Sequence, residues 1–439
     1  MERLAPLAAR FPRRRRRTAL VVLLSAAALC LPAVAHADSG NLWVDANGGT
    51  CTRQATPGAY SDAQACTWAA AYSAAQNGDQ VIVRSGSYGA VTMPTTKSGS
   101  PSVSYTPEAG ATVSVTHMNN GFGGSGGAAN VTFNGPVSAT RFTNLRNNVT
   151  VDGWDINGQG NNTQTVNLEG TGVTFRNGKI HNMCASNNSG SMIAMYADSA
   201  WFDNMEIYDA LLCDATTHTE CMFASGANDL KITRSHFYRC AVMDVFITCS
   251  GCSGAPVANG GWIENNVFEK TCTGLNGTCG SLSNSSLPFH FRNGGEPSPD
   301  PNNWDFRYNT FDGGLDISSE NVVQSGGVRV IGNIFLSGSV CGGTNVTASY
   351  NVVPSGTCGT NSTASSTLAS SFVSRGTVST PGDYRLLSTS AARNAGNVFN
   401  FPAIDALGQT RYSGTAPDAG AYEYQEGIPP ADTIAPDTS

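Results

Sequence analysis

Six side chains of acid, base or cation type lie on segments where apolar and polar residues alternate: His218, Glu220, Asp244, His290, Arg292 and Asp316. A period of two residues is typical of a half-buried β-strand, whose polar residues face away from the core. In residues 289–292, Phe289 and Phe291 are expected inside, with His290 and Arg292 outside. The pattern predicts that all six side chains share one solvent-facing groove.

Such a set of side chains suits chemistry on a polysaccharide. β-Elimination at a uronate needs a base for the sugar C5 proton and a cation for the carboxylate, and Arg292 or His290 is the candidate base. Glu220 and Asp244 would then bind Ca²⁺ or orient the sugar. Hydrolysis instead needs two carboxylates that flank the glycosidic bond, and Glu220 and Asp244 are the candidates. If these polar residues are merely solvated, a non-catalytic glycan-binding, adhesive or structural protein remains.

These segments lie between copies of an eight-residue repeat. The copies, the first of them weaker, begin at Val131, Val149, Val173, Ala200, Leu230, Gly261, Trp304, Val328 and Val346. Positions 3 and 8 are apolar, and four successive copies carry Asn at position 6, namely Asn266, Asn309, Asn333 and Asn351. These Asn residues are expected to adopt left-handed backbone angles and to hydrogen-bond in a ladder. A single copy cannot bury its apolar positions, but coils stacked about 4.8 Å apart can. The repeat predicts an all-β solenoid of about nine or more coils.

This repeat resembles that of the right-handed parallel β-helix superfamily, which includes pectate-lyase-like proteins. Residues 77–88 (NGDQVIVRSGSY) are similar to its first coil. Residues 405–411 (DALGQTR) and 418–423 (DAGAYE) resemble the end of bacterial proteins of the choice-of-anchor Q type. The resemblance implies a right-handed parallel β-helix and, for function, a lyase, a hydrolase or an adhesin. The Gly-His-Gly and paired-Asp motifs of polygalacturonase-like hydrolases and the Trp-Ile-Asp-His motif of pectate lyases are absent from the sequence.

The N-terminal residues 1–37 are typical of a signal peptide. Five arginines at 13–17 precede an apolar stretch at 18–34, and Ala35-His36-Ala37 fits a cleavage site. The apolar stretch is shorter than the ~20 residues that cross a bilayer. We then expect an N-terminal cap at 38–77 with an Ala-rich helix at 62–76, a β-helix at 78–360, a C-terminal coil or cap region at 361–425, and a Pro-, Asp- and Thr-rich tail or linker at 426–439.

Charge agrees with an exported protein that does not bind nucleic acid. The whole chain has a net charge of −7 and only four Lys, and the part after residue 37 has a net charge of −13. An acidic surface without a basic stripe argues against nucleic-acid binding. The expected partner is an extracellular polysaccharide or cell-wall glycan. We expect a secreted or cell-surface monomer with no membrane span after signal cleavage.

Twelve cysteines follow the predicted signal peptide, and an even number is what a disulfide framework requires. An oxidising compartment favours disulfides, and we pair Cys184 with Cys213 and Cys221 with Cys240. Other cysteines close in sequence are Cys51 and Cys66, Cys272 and Cys279, and Cys341 and Cys358. Cys249 and Cys252 form a C-x-x-C motif that suggests zinc, but no second pair of ligands completes such a site.

Overall fold

The computed structural model describes residues 38–97, 102–121, 126–186, 190–213, 219–226, 228–248, 257–269, 288–291, 300–317, 322–377 and 379–426. Their regular elements are one α-helix, α1 (Trp68–Ala74), a 3₁₀ turn at Leu368–Ser370, and 32 strands. In chain order the strands are β1 (Leu42–Val44), β2 (Ala65–Cys66), β3 (Asp79–Val83), β4 (Gly86–Ser87), β5 (Ala90–Thr92), β6 (Val103–Pro107), β7 (Val113–Asn120), β8 (Val131–Asn144), β9 (Val149–Asn161), β10 (Val166–Leu168), β11 (Thr174–Arg176), β12 (Lys179–Ala185), β13 (Ile193–Met195), β14 (Trp201–Asp203), β15 (Glu206–Leu212), β16 (Glu220–Ser225), β17 (Leu230–Thr233), β18 (His236–Cys240), β19 (Met243–Thr248), β20 (Val257–Glu264), β21 (Val267–Phe268), β22 (Phe289–Phe291), β23 (Asp300–Arg307), β24 (Thr310–Phe311), β25 (Leu315–Ile317), β26 (Val328–Ile331), β27 (Ile334–Phe335), β28 (Val346–Ser349), β29 (Val352–Val353), β30 (Thr363–Ala364), β31 (Phe372–Ser374) and β32 (Asp383–Leu386).

Thirty of these strands form one sheet, and its named strands all pair in parallel. The sheet winds into a solenoid with three faces. Face 1 stacks the first strand of each repeat copy, from β9 through β11, β14, β17, β20, β23 and β26 to β28. Face 2 stacks the end of each copy, from β12 through β15, β18, β21, β24 and β27 to β29. Face 3 stacks β10, β13, β16, β19, β22 and β25. The predicted parallel β-helix is confirmed.

The core is built from repeat positions 3 and 8, which are buried in all eight of the stronger copies. At position 8, the rings of Phe237, Phe268, Phe311 and Phe335 stack with centroids 4.9 to 5.1 Å apart. This spacing is close to the distance between neighbouring strands, so each coil adds one ring to a continuous column. Full burial of such a side chain contributes about 1.5–3 kcal/mol, which is why the repeat tolerates varied turns but keeps these positions apolar.

The Asn ladder is present, but the left-handed residue is not the Asn. Asn266 Nδ2 donates to Asn309 Oδ1 at 2.9 Å, and Asn309 Nδ2 donates to Asn333 Oδ1 at 3.0 Å. The positive φ angles occur one position earlier, for example 53° at Tyr308 and 57° at Tyr350. The expectation for position 6 was therefore wrong. The chain makes its bend at position 5, and this bend aims the following Asn side chain inwards.

Helix α1 closes the N-terminal end of the core. Thr67 caps it by accepting a hydrogen bond from the amide of Ala70 at 3.2 Å. Its Trp68 stacks on Tyr105 with ring centroids 5.0 Å apart, and both rings are buried. The predicted helix is confirmed, although it is shorter than 62–76. Strand β1 already pairs with β3, so the sheet begins before the expected boundary at residue 78.

The C-terminal residues 365–426 fold back onto the solenoid. They contribute the antiparallel pair β31–β32 and a second apolar cluster that includes Val267, Ile334 and Val352 of the repeat. Arg411 of the DALGQTR motif is 1% exposed. Its guanidinium donates to Asn265 Oδ1 at 2.6 Å and to the carbonyl of Gly420 at 2.7 Å. The two C-terminal motifs therefore meet at a turn of the repeat.

Four disulfides lie within the described residues: Cys51–Cys66, Cys184–Cys213, Cys221–Cys240 and Cys341–Cys358. Both predicted pairings and two of the pairs close in sequence are thereby confirmed. The remaining cysteines, Cys249, Cys252, Cys272 and Cys279, lie outside the described residues. The described part of the chain includes no helix long and apolar enough to cross a membrane.

Candidate functional site

A cleft of about 210 Å³ opens on face 3, where β13, β16 and β19 lie side by side. It has an aromatic part and a polar part. The side chains and backbone that line it belong to Gln164, Gly190, Ser191, Ala194, Tyr196, Glu220, Phe223 and Phe246.

The floor of the cleft is a strip of aromatic rings produced by the strand register. Phe223 pairs with Phe246, which pairs in turn with His290 on the next coil. The Phe223 and Phe246 ring centroids are 5.9 Å apart, and Tyr196 lies 6.3 Å from Phe223. Tyr196 is 44% exposed, so the strip has one open end. Aromatic faces of this kind can pack against the C–H faces of sugar rings, because the ring face carries partial negative charge.

Glu220 forms the polar part of the cleft. It is only 2% exposed, and the Ser191 hydroxyl donates a hydrogen bond to its Oε2. The neighbouring Thr219 hydroxyl donates to the carbonyl of Gly190 at 2.6 Å, which ties the start of β16 to the preceding coil. A carboxylate fixed in this way can accept hydrogen bonds from sugar hydroxyls or exchange a proton with a substrate.

His290 and Asp316 form the second polar group of face 3. Asp316 is the register partner of His290 on the next coil, and His290 Nε2 lies 3.1 Å from Asp316 Oδ2. The imidazole side chain is 5% exposed and the carboxylate 37% exposed. A carboxylate beside an imidazole orients the ring and stabilises its protonated form. These two predicted site residues are therefore in contact, and parallel stacking itself brings them together.

Asp244 does not join the cleft. The register aligns Met243, not Asp244, with Glu220, and Asp244 lies beside the carboxylates of Glu269 and Asp312. Asp244 is 2% exposed, and its Oδ2 has no hydrogen-bond partner within the described residues. Burial, and then the nearby carboxylates of Glu269 and Asp312, raise its pKa well above the ordinary value. The predicted pairing of Glu220 with Asp244 is not formed.

The expected open groove also needs correction. Among the predicted site residues that the structure describes, Glu220, Asp244 and His290 are buried and only Asp316 is partly exposed. For His290 the reason is that the large Phe246 side chain stands in the same outward row. The predicted His218 and Arg292 lie outside the described residues.

The described residues form no site that fits the Ca²⁺ that the sequence suggested. Within the described ranges, no group of three or more His, Cys, Asp or Glu side chains is arranged to hold a metal ion. Glu269 and Asp312, the two acids near Asp244, already bind groups of the C-terminal segment. Glu269 accepts from the Gly382 amide at 2.7 Å, and Asp312 accepts from the Tyr384 hydroxyl at 2.6 Å and pairs with Arg375.

No family model matches the chain, and no curated protein matches its sequence. Among solved structures it is similar to pectate lyase Pel9A, with a TM-score of 0.51 and 16% sequence identity over 88% of this chain and 96% of that one. The fold is pectate-lyase-like. At this identity the likeness concerns the fold alone. The resemblance of the C-terminal motifs to choice-of-anchor Q proteins stays a prediction.

Several residues of the candidate site were not predicted from the sequence. Phe223 and Phe246 each lie between two buried apolar residues, so β16 and β19 look like uninterrupted core strands. The signal that could have found them is the two-residue period itself, since each Phe follows an inward residue by one position. Ser191 carried no signal, because it lies before β13 and meets Glu220 only through stacking of the coils.

Proposed function

We propose that the chain is an exported polysaccharide-acting protein that binds a glycan along face 3 and cleaves it by β-elimination, with His290 as the base. The observation that carries this proposal is the row in which the aromatic strip of Phe223 and Phe246 continues directly into the His290–Asp316 pair. The disulfides fit an extracellular protein. Since the structure with a similar fold is a pectate lyase, polyuronates are the first substrate class to test.

In the proposed step, neutral His290 takes the C5 proton of a uronate. The electrons of the C5–H bond form a double bond between C4 and C5, the C4–O bond breaks, and the leaving oxygen takes a proton from water, whose hydroxide then takes the proton from the imidazolium. Asp316 stabilises the imidazolium that forms. Arg292, the alternative base in the sequence analysis, is in this proposal the cation that pairs with the uronate carboxylate. Glu220 binds sugar hydroxyls at the other end of the strip.

Hydrolysis is the weaker alternative on geometric grounds. Glu220 is the only carboxylate among the described residues that line the cleft. A glycoside hydrolase needs two carboxyl groups about 5–9.5 Å apart, and the described lining residues provide one.

A panel of polyuronates and neutral polysaccharides tests the proposal, with ultraviolet absorbance for unsaturated products and reducing ends for hydrolysis. His290→Ala should lower kcat by about 10²–10⁴-fold, the usual contribution of a general base. His181→Ala is the matched control, because His181 also lies close to an aspartate, 2.8 Å from Asp155, but on face 2. Full turnover by His290→Ala at an unchanged thermal midpoint would reject the role of His290.

A non-catalytic glycan-binding module is the second candidate, favoured by the burial of His290. It predicts that the wild-type protein binds a polyuronate and releases neither unsaturated products nor reducing ends. Glu220→Gln should weaken binding under either candidate, so product release is the measurement that separates them.

A further inference from the structure

A second row of side chains, on face 1, has the composition of a ligand-binding surface. Successive coils place Trp201, Lys231 and Trp262 in register on β14, β17 and β20, all outward from the core. Trp201 is 39% exposed, Lys231 is exposed and Trp262 is half-buried. We call these three residues the face-1 strip. It lies on a different face from the cleft and is not used by the proposed reaction.

Both indoles are held in place by their N–H groups. Trp201 Nε1 donates to Thr233 Oγ1 at 2.8 Å, and the Trp262 side chain hydrogen-bonds to Glu264. The Arg307 guanidinium lies over the Trp262 ring, 4.7 Å from its centroid. A fixed ring costs little conformational entropy when a ligand packs on it, so these indoles are preorganised.

Lys231, the cation between the two indoles, differs in its ion pairing from the arginines of face 1. Arg176 lies 2.8 Å from Asp152, Arg307 lies 3.7 Å from Glu264, and Arg329 pairs with Asp305. Lys231, by contrast, has no hydrogen bond or ion pair with any residue in the described ranges. At physiological salt, charges beyond about 8 Å are largely screened, so this local ammonium matters more than the negative net charge of the chain.

From these observations we infer that the face-1 strip binds a linear acidic glycan that runs along the solenoid axis. The two indoles pack against sugar ring faces, and Lys231 pairs with a carboxylate on the sugar between them. A ligand with one repeating unit per coil matches a surface with one side chain per coil, spaced about 4.8 Å. The ligand class rests on the proposed function, but the residues are independent of it.

The test uses native gel electrophoresis of the full mature protein in gels containing polygalacturonate or neutral hydroxyethyl cellulose. Lys231→Gln should weaken retention by polygalacturonate roughly threefold, as expected for one exposed ion pair, and leave retention by the neutral polymer unchanged. Trp201→Ala should weaken retention by both polymers roughly tenfold. Lys179→Gln is the matched control, because Lys179 lies on face 2 and pairs with Glu206 at 3.4 Å.

Wild-type retention in the strip variants overturns the inference, and so does a wild-type protein that neither gel retains. Retention by a polynucleotide that depends on the same variants overturns the choice of ligand. Lys231 is exposed, so its substitution leaves the fold intact even where replacement of Trp262 does not. A protein that releases no product but is retained through the strip rejects the proposed lyase reaction and supports this inference.

Discussion

Burial controls how individual carboxylates of this protein titrate. Asp418 is 3% exposed, and burial, followed by repulsion from Glu423, raises its pKa to about 7. Hydrogen bonds from the amides of Asn394 and Tyr424 only partly oppose this rise. In the unfolded chain the pKa of an aspartate is about 3.9. The folded state therefore holds the proton more tightly, and the stabilisation that this gives below about pH 4 is lost as the pH rises to about 7.

This linkage predicts the behaviour of one variant. The thermal midpoint of the wild-type protein should fall between about pH 4 and pH 7 as Asp418 loses its proton. Asp418→Asn should remove this contribution to the fall. Asp62→Asn changes an exposed carboxylate and should keep the wild-type pH dependence. Thermal unfolding followed by circular dichroism at half-unit pH steps measures both. If the thermal midpoint of Asp418→Asn falls with pH as steeply as that of the wild-type protein, another group causes the fall.

Also at the residue scale, alternation in the sequence predicted part of the candidate site. It predicted that His290 and Asp316 lie in one row, and the two side chains are in contact. It also predicted that Asp244 points away from the core like Phe246, but not that Asp244 lies beside Glu269 and Asp312 instead of in the cleft. The geometry at a corner depends on which residues of neighbouring coils lie next to each other. The alternation of apolar and polar residues along one strand does not determine this.

At the scale of a single turn, the Asn ladder is a set of mutually dependent hydrogen bonds. Asn309 is fully buried, and its Nδ2 donates to the Ile263 carbonyl at 2.8 Å as well as to Asn333. Asn309→Ala leaves several buried polar groups without partners, each costing about 1–3 kcal/mol. Urea unfolding should show a loss of about 3 kcal/mol or more. Asn302→Ala removes two exposed hydrogen bonds, one to Asn259 and one from the Gly326 amide, and should cost about 1 kcal/mol or less. Equal losses in the two variants would contradict the importance of the ladder.

The sequence predicted the stacking of these turns but not the position of the bend. Positions 3, 6 and 8 could be recognised because burial and the ladder restrict their residue types. Position 5 carries the positive φ and holds Asn265, Tyr308, Gly332 and Tyr350 in successive copies. Asn265 and Gly332 are residue types that favour a left-handed conformation, so they could have marked the bend, whereas Tyr308 and Tyr350 are not. In the two copies with Tyr, the stacked neighbouring coils hold the same bend.

On the scale of the whole molecule, Arg411 joins the C-terminal segment to the solenoid. Arg411→Gln deprives Asn265 and the Gly420 carbonyl of their donor inside the protein. It also leaves Glu423, whose carboxylate lies 3.6 Å from the guanidinium, without its cation. Removing one partner of a buried ion pair costs about 3–5 kcal/mol. The C-terminal segment should then become sensitive to limited proteolysis before the rest of the chain.

Arg329→Gln is the control for this experiment, since Arg329 is 57% exposed beside Asp305 and should contribute little. Equal protease resistance of Arg411→Gln and the wild-type protein would contradict the proposed joint. The motifs DALGQTR and DAGAYE predicted a C-terminal cap region. They could not predict which surface it covers, because that depends on Asn265 in a turn about 140 residues earlier.

Helix α1 also covers the N-terminal end of the strand stack. Every strand at the end of a parallel stack offers unpaired backbone groups to which another chain could add a strand, as in amyloid growth. Trp68 and Tyr72 of α1 fill the N-terminal end of the core, and the Tyr72 hydroxyl donates to the Ala129 carbonyl at 3.3 Å. A second copy cannot stack its own coil on a core that is already occupied. The solenoid is thereby protected at this end from joining others into a fibre, although its repeat could in principle continue without limit.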